Sequence, residues 1–317
     1  MRIGICRALH AFYHFALWKT FFNELGIEVV TTTSTTKKII EEGLKVAPAE
    51  LCLPVKVFLG HLVSLKKKVD ALLIPRLVCR KIAHDFYFGC PKALALPDLT
   101  RAVFPDLPRV IELVIDERIS SEKAAFVNLA QSLGMKKPKA IKAYRLAKAT
   151  ALDADNLTKR LGSPLHMFEH QPAKPVSQKA HRLKIGLIGH PYLLFDGYLN
   201  CGILKFIESC GVAPVFFSPD EQQITQGTFE KTLPNWYYEL KLIIGARYLI
   251  QDEKISGLVL FSNFACGTGS VVNEIVRKQV FAKKNIPLLT LLIDEHTGET
   301  GLKTRLESFI DLIKVKG

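Results

Sequence analysis

Three cysteines in this chain are placed where they could bind a metal, although none has a close neighbour of its own kind. Cys52 lies in "AELCLPVK", Cys90 in "YFGCPK" and Cys266 in "NFACGTGS". Without a close CxxC pair, local spacing does not predict a compact zinc knuckle. Three thiolates are enough to hold an iron–sulfur cluster with one iron left open, provided that the two halves of the chain bring them together. The alternative for each is an ordinary buried thiol.

The segment around Cys266 has the most specific local pattern. A predicted buried strand (255–264) is followed by the cysteine, by "GTGS" and by a predicted helix (269–284). Backbone N–H groups at a helix start favour a thiolate or another anion. Thr268 or Ser270 can cap this helix. A phosphate-binding turn is the alternative, although the lysine of a Walker loop is missing.

Two further loops follow predicted strands and carry polar side chains. The segment 75–98 is long for a loop between a strand and a helix, and long loops in compact domains are often functional. Asp294, Glu295, His296 and Glu299 cluster after the last predicted strand. Such a cluster suits metal binding or acid–base chemistry, but it also suits capping of the final helix. The sequence leaves both interpretations open.

The composition is typical of a globular chain with two domains. The 317 residues are 48% hydrophobic and 23% charged. No apolar run reaches the roughly 18 residues that a membrane span needs, and Met1 leads directly into a predicted strand without a secretory leader. We therefore expect a cytoplasmic protein without membrane contact. Seven cysteines, an odd number, are expected to be reduced, metal-bound or buried.

The net charge of +13 is the second compositional feature that bears on partners. Lysines form short clusters at 66–68, 136–142 and 283–284, without interleaved aromatic residues or a known nucleic-acid module. Nucleic acid is therefore not an expected partner. Solvated lysine faces explain the charge, and an acidic protein partner or a CoA-type ligand is the next interpretation.

The order of predicted elements indicates an α/β fold with two Rossmann-like, doubly wound parallel-sheet domains. Strand, helix, strand, helix and a buried apolar strand occur in each half, which indicates an internal duplication. We place the first α/β domain at 1–105, a helical connecting region and linker at 106–182, and the second α/β domain at 183–317. The segment "EHQPAKPVSQKAHR" (169–182) is the expected linker.

Two local predictions in the first half depend on glycine and proline. A capped helix over 34–46 is expected to stop near Gly43. The apolar strand "DALLIPRL" (70–77) is expected to be ended by its proline.

Several stretches resemble a known family, the CoA-substrate-specific enzyme activase-related proteins. They are "IGICRALHAFYHFALWKTFFNELGIEVV", "LCLPVKVFLGH", "VDALLIPRLV", "CPKALALPD" and "IDEHTGETGLKTRLESFID". That family is related to the D-component subunits of 2-hydroxyacyl-CoA dehydratases and to benzoyl-CoA reductase subunits. The resemblance implies two Rossmann-like domains and a [4Fe–4S] cluster held by three cysteines. It also implies reduction by an ATP-hydrolysing activator protein that carries its own cluster.

Carried onto this sequence, the resemblance implies Cys52, Cys90 and Cys266 as the cluster ligands. Family members usually have proline where this chain has Cys6. Whether further cysteines also bind a cluster stays open for three positions: Cys6, Cys79 and Cys201. Some relatives hold a larger double-cubane cluster with more cysteines, and we expect the single [4Fe–4S] cluster here.

The resemblance implies ATP-driven low-potential electron transfer, or reductive or dehydratase chemistry on an acyl-CoA-like substrate, in anaerobic metabolism. A homo- or heterodimer is compatible with it, and catalytic residues are not identified. The alternative from the residues alone is a non-redox, two-domain binding protein for an anionic small molecule. The twin halves, the positive charge and the "CGTGS" turn motivate that alternative.

Overall fold

The structure is a computed structural model in which the described residues form two compact units. The described ranges are 1–168, 183–227, 233–282 and 286–316. The first unit contains residues 1–157 together with 167–168 and 235–237, and the second contains 158–166 and the remaining described residues. The predicted linker at 169–182 lies outside the described residues.

Strands and helices alternate through the first unit. Its elements are β1 (Arg2–Ile5), α1 (Ala11–Glu24), β2 (Glu28–Thr31), α2 (Lys37–Val46), α3 (Leu53–Leu65), β3 (Ala71–Ile82), β4 (Asp85–Phe88), α4 (Pro91–Leu94), α5 (Leu96–Val103), β5 (Arg109–Asp116), α6 (Glu122–Ser132) and α7 (Lys137–Leu161). The last residues of α7, 158–161, and most of a short 3₁₀ turn at Leu165–Met167 belong to the second unit.

The second unit has the same alternation. Its elements are β6 (Leu183–Ile188), α8 (Pro191–Leu194), α9 (Ile203–Ser209), β7 (Val212–Phe216), α10 (Glu221–Gly227), α11 (Tyr237–Gln251), β8 (Gly257–Asn263), α12 (Gly267–Ala282), β9 (Leu288–Ile293) and α13 (Glu299–Lys316). Among the helices in the described ranges, none has both the length and the apolar character that crossing a membrane requires.

The two sheets share one order of parallel strands. In the first sheet β2 pairs with β1, β1 with β3 and β3 with β5, all in parallel. In the second sheet the order is β7-β6-β8-β9, again parallel throughout. The antiparallel strand β4 is the one addition, and it pairs with the far end of β3. The predicted fold class of two Rossmann-like parallel-sheet domains is confirmed.

Strand β5 was not predicted from the sequence, which placed a helical connecting region and linker at 106–182. β5 runs parallel to β3 over its whole length, from the pair Ala71 and Arg109 onward. Its exposure alternates irregularly and Val114 is 45% exposed, so the strand lacks the continuous apolar run that marks a central strand. A division of the chain at residue 105 would separate two hydrogen-bonded strands of one sheet.

The expectation that Pro75 ends the third strand is wrong, because β3 continues to Ile82. On one side β3 pairs with β5 through Pro75. On its other side β3 pairs with β1 only at Ala71 and Leu72, and with β4 only from Cys79 onward. A proline has no N–H to donate to a neighbouring strand. On this side of β3 no strand of the described ranges pairs with Pro75, so the missing N–H leaves no acceptor without its donor.

A buried carboxylate network joins three elements of the first unit. Glu122 at the start of α6 accepts from Arg80 at 2.6 Å, from Lys148 at 2.7 Å and from Tyr144 at 2.9 Å. Burial alone would raise the pKa of Glu122, but Arg80 and Lys148 outweigh burial and lower it to about 2. The network therefore ties β3 to α6 and α7 with a charge that is fully compensated.

Helices α2 and α3 touch through their backbones at two glycines. A Cβ atom on Gly43 would lie 2.0 Å from the carbonyl oxygen of Lys56, and one on Gly60 would lie 1.9 Å from that of Ile39. The prediction that the helix stops near Gly43 is wrong, because α2 runs through it to Val46. A glycine at position 43 allows the backbones of α2 and α3 to approach each other, and it does not serve as a left-handed helix end.

We expect Gly43→Ala and Gly60→Ala each to lower the free energy of unfolding by about 2–3 kcal/mol, because the backbones of α2 and α3 must separate. Gly301→Ala is the matched control, since Gly301 is an exposed helical glycine with open space around its Cα. It should stabilise the chain by about 0.5 kcal/mol. Urea unfolding followed by circular dichroism measures all three, and an unchanged midpoint for Gly60→Ala would contradict the contact.

Candidate functional site

The carboxyl ends of the parallel strands gather the polar loops of the second unit. Because β6, β8 and β9 are parallel neighbours, the segments that follow them leave the same edge of the sheet. His190 follows β6, the segment 264–266 follows β8, and Asp294 follows β9. The strand topology thus brings the predicted Cys266 turn and the acidic cluster to one edge.

Cys266 itself caps helix α12. Its sulfur accepts the backbone N–H of Gly269 at 3.2 Å, and its carbonyl accepts the N–H of Ser270 at 3.0 Å. The prediction that Thr268 or Ser270 caps this helix is wrong. Ala265, immediately before the cysteine, has a φ of 60°, a left-handed conformation that costs a non-glycine residue about 1 kcal/mol. This turn directs the chain from the end of β8 into α12.

The cap also bears on the phosphate-turn alternative. Two of the first amides of α12, those of Gly269 and Ser270, already bond to Cys266. A Cβ on Gly269 would lie 2.8 Å from the Cys266 sulfur, so the glycine leaves room for the thiol. The sulfur bonds only the Gly269 amide, because the bond from Ser270 is the ordinary first hydrogen bond of the helix, and the phosphate-turn alternative therefore stays a prediction.

A buried carboxyl group stands next to this turn. Glu239, in the first turn of α11, is 2% exposed, and its Oε1 accepts the hydroxyl of Thr268 at 2.5 Å. Its Oε2 is buried without a hydrogen-bond partner, as is Oδ1 of Asn263. Burial raises the pKa of Glu239, while the bond from Thr268 lowers it by less.

The sequence analysis missed Glu239, although a signal was present. Ile243, Ala246 and Ile250 follow it on one face of α11, and all three are buried. Glu239 occupies the position that continues this apolar stripe toward the helix start. The signal in the sequence was therefore one acidic residue at a position where an amphipathic helix is otherwise apolar.

In the first unit, Cys90 is placed by the end of the β3–β4 hairpin. Gly89 packs so closely on β3 that a Cβ there would lie 2.3 Å from the carbonyl oxygen of Leu77. Cys90 then precedes α4, with Pro91 as the first helical residue. Arg76 of β3 holds the following helices, because it bonds Asp98 at 2.8 and 2.9 Å and the carbonyl of Leu94 at 2.9 Å.

Cys52 has a comparable position at the start of α3. It is 7% exposed and stands at the residue before the helix, with Pro54 in the first turn. The segments of Cys52 and Cys90 are tied together, since Nζ of Lys92 donates to the carbonyl of Glu50 at 2.9 Å. Each of the three predicted ligands therefore directly precedes a helix.

A buried histidine lies two turns into α3. His61 is fully buried, and its Nε2 is 3.0 Å from the hydroxyl of Thr35, while its Nδ1 has no hydrogen-bond partner. Burial and the nearby positive charge of Arg7 lower the pKa of His61 to about 3. Arg7 follows β1 and also stacks over Phe168 at 4.7 Å. The end of β1 thus carries a cation beside a neutral imidazole.

The acidic cluster after β9 forms a turn that is closed by its own hydrogen bonds. The hydroxyl of Thr297 donates to Oδ1 of Asp294 at 2.8 Å and accepts the N–H of Asp294 at 2.8 Å. The N–H of His296 also donates to Asp294, at 2.9 Å. These bonds close the turn between β9 and α13 and do not reach an N–H of α13, so both interpretations of the cluster stay predictions.

The remaining thiols are poorer ligand candidates. Burial raises the pKa of Cys6, and burial also raises those of Cys79 and Cys201, assisted by Asp116 and Glu299 respectively. Among the residues that the structure describes, no group of three or more Cys, His, Asp or Glu side chains is assembled to hold a metal ion. No disulfide links any of the seven cysteines.

Residues 2–218 match the family described as CoA enzyme activase uncharacterised domain (DUF2229). The chain belongs to this family. The predicted resemblance to CoA-enzyme activase-related proteins is thereby confirmed, whereas the relation to dehydratase subunits stays a prediction. No curated protein matches the chain.

Two solved structures align with most of the chain at low similarity. A dimeric Lac repressor with a C-terminal deletion is 10% identical over 93% of this chain and 96% of that chain, with a TM-score of 0.22. A protein described as a phosphosugar isomerase from Silicibacter pomeroyi DSS-3 is 13% identical over 99% of this chain and 85% of that chain, with a TM-score of 0.23. TM-scores this low support no conclusion about fold or function.

The part of the chain that matches the CoA enzyme activase domain includes Cys52, Cys90 and His61. Cys266 and Glu239 lie beyond residue 218, in the second half of this family member. The family match therefore does not extend to the site around Cys266.

His61 should make the stability of this activase-family chain depend on pH. Its pKa is about 3 in the folded chain and 6.5 ordinarily, so the unfolded chain binds the proton first. The stabilisation is complete above pH 6.5 and is lost as the pH falls toward 3. Between pH 7 and pH 5 we expect His61 to account for a loss of about 2 kcal/mol.

Urea unfolding of the wild type and of His61→Gln at pH 7 and pH 5 measures this loss. The variant should show the smaller fall in free energy of unfolding between the two pH values. His190, whose pKa burial lowers to about 4, titrates in both proteins and so cancels in the comparison. An equal fall in both proteins would contradict the burial of a neutral His61.

Proposed function

We propose that this CoA enzyme activase-family chain is an iron–sulfur protein of the 2-hydroxyacyl-CoA dehydratase class. In this proposal Cys52, Cys90 and Cys266 hold a [4Fe–4S] cluster. The observation that carries it is the position that the three thiols share, each at the residue before a helix. Helix starts present N–H groups and a positive dipole end, which stabilise negatively charged sulfur.

The hydrogen bond at Cys266 supports a ligand role most directly. An N–H donor 3.2 Å from the sulfur, from Gly269, is of the kind that tunes iron–sulfur sites. Cys52 and Cys90 are each followed by a proline within two residues, which fixes the backbone of the first helical turn. Cys52 and Cys90 thus stand at helix starts that a proline stiffens.

The pKa shifts of three further cysteines argue against a ligand role for them. A thiol must lose its proton to bind iron. The pKa of Cys6, of Cys79 and of Cys201 is raised, mainly by burial. We therefore expect these three thiols to stay protonated and to take no part in the cluster.

When bound, a [4Fe–4S] cluster with three cysteine ligands supplies low-potential electrons and one open iron position. The chain's own residues would hold and orient the three sulfurs and limit their contact with water. The net charge of +13 suits either an acidic, ATP-hydrolysing activator protein or the phosphates of an acyl-CoA substrate. The family description, CoA enzyme activase, supports a partnership of this kind.

A second candidate function is a non-redox binding protein for an anionic small molecule, and one observation favours it. Arg7 presents its cation just after β1, at the carboxyl edge of the first sheet, where ligands of such folds bind. In this candidate function the cysteines are packing residues. Binding of the anion would then be independent of all three thiols.

Anaerobic reconstitution with iron and sulfide separates the two functions. We expect the wild type to take up about four irons per chain and to turn brown. Cys52→Ser, Cys90→Ser and Cys266→Ser should each lose at least half of the iron. Cys210→Ser is the matched control, because Cys210 is a partly exposed thiol at the end of α9 outside the proposed ligand set. It should retain full iron content.

Wild-type protein that stays colourless and iron-free after anaerobic reconstitution would contradict the cluster. Isothermal titration with CoA then tests the second candidate. Equal affinity of the wild type and of a variant lacking all three thiols, together with loss of binding in Arg7→Gln, would favour the anion-binding function.

A further inference from the structure

Glu239 is a buried acid without a compensating cation. It is 2% exposed, and in the part of the chain that the structure describes it forms no ion pair. Its one side-chain partner is the hydroxyl of Thr268, at 2.5 Å from Oε1, and Oε2 has none. Burying a carboxyl group with so little compensation is costly, and such groups are often retained for a function.

Thr268 connects this acid to the Cys266 sulfur. Its Oγ1 is 3.7 Å from Sγ of Cys266, within reach of a sulfur hydrogen bond. The same sulfur accepts the N–H of Gly269 at 3.2 Å. A threonine hydroxyl has one proton, so Thr268 donates either to Glu239 or to the sulfur, but never to both.

We propose that Glu239 is a positioning residue for the Cys266 sulfur and that it acts through the Thr268 hydroxyl. In the first arrangement Glu239 is ionised, Thr268 donates to it, and the S–H of Cys266 donates to Thr268. In the second arrangement Glu239 is protonated and donates to Thr268, whose hydroxyl proton then points at the sulfur. The observed hydrogen bond from Thr268 to Glu239 corresponds to the first arrangement. Burial raises the pKa of Glu239 and so brings the second arrangement closer to the first in free energy.

The second arrangement suits a sulfur that carries a bond to iron. Such a sulfur has no S–H and acts only as an acceptor, so Thr268 and Gly269 would both donate to it. This part of the inference rests on the proposed function. We call the path from Glu239 through the Thr268 hydroxyl to the Cys266 sulfur the relay. In the iron-free chain the relay depends only on the observed contacts.

The alkylation rate of Cys266 in the iron-free chain tests the relay. Iodoacetamide reacts with thiolates, and peptide mass spectrometry resolves Cys266 from the other six cysteines. We expect Glu239→Gln to raise the rate about three- to tenfold at pH 7, because a neutral amide competes less for the hydroxyl proton. Glu274→Gln is the matched control, since Glu274 lies on the exposed side of α12 and pairs with Arg277. It should leave the rate unchanged.

The decisive comparison repeats Glu239→Gln in a chain that lacks the Thr268 hydroxyl. If Glu239 acts through that hydroxyl, the acceleration disappears in a Thr268→Val background. The same acceleration in both backgrounds, or none in the wild-type background, would overturn the proposal. Thr268→Ser should behave as the wild type, and Thr268→Ala replaces the valine variant if the latter does not fold. Iron uptake is measured separately, so a chain that shows the relay but binds no iron would overturn the proposed function alone.

Discussion

Parallel strand pairing is the constraint on which both units depend. It forces every crossover to pass over a face of the sheet, and it places the ends of neighbouring strands at one edge. The shared order β2-β1-β3-β5 and β7-β6-β8-β9 therefore decides which loops lie together. Arg7 follows a strand in the first unit, and Cys266 follows one in the second. Loops that follow strands therefore carry part of the candidate site, whereas Cys52 and Glu239 lie at helix starts.

Each candidate ligand then depends on a local backbone device. Gly89 lets the chain pass against β3 just before Cys90. Ala265 accepts a left-handed conformation just before Cys266, and Gly269 leaves space for its sulfur. Helix α3, which starts after Cys52, is fixed against α2 by two glycines. The backbone at these turns fixes where each thiol starts. Sites on rigid elements position side chains more precisely than sites on loops do.

The parts that could be predicted from sequence are those with strong local signals. Continuous apolar runs indicated β3 and β8, and the small residues after Cys266 indicated a turn into a helix. Strand β5 was missed because its buried and exposed residues do not alternate regularly along the sequence. The role of Gly43 was misjudged because a helix contact and a helix end favour the same residue type. Glu239 was missed because only tertiary packing shows that its helix face is buried and that Thr268 meets it.

The contacts of Cys266 also indicate where its reactivity is set. Its hydrogen-bond partner Gly269, the nearby hydroxyl of Thr268 and the buried Glu239 behind that hydroxyl all belong to the second unit. These contacts of the sulfur are therefore formed within one unit. A ligand whose hydrogen bonds are formed in advance loses little conformational entropy on binding, and its donors already point at the sulfur. That preorganisation is the reason to look for the chemistry of this chain first at Cys266.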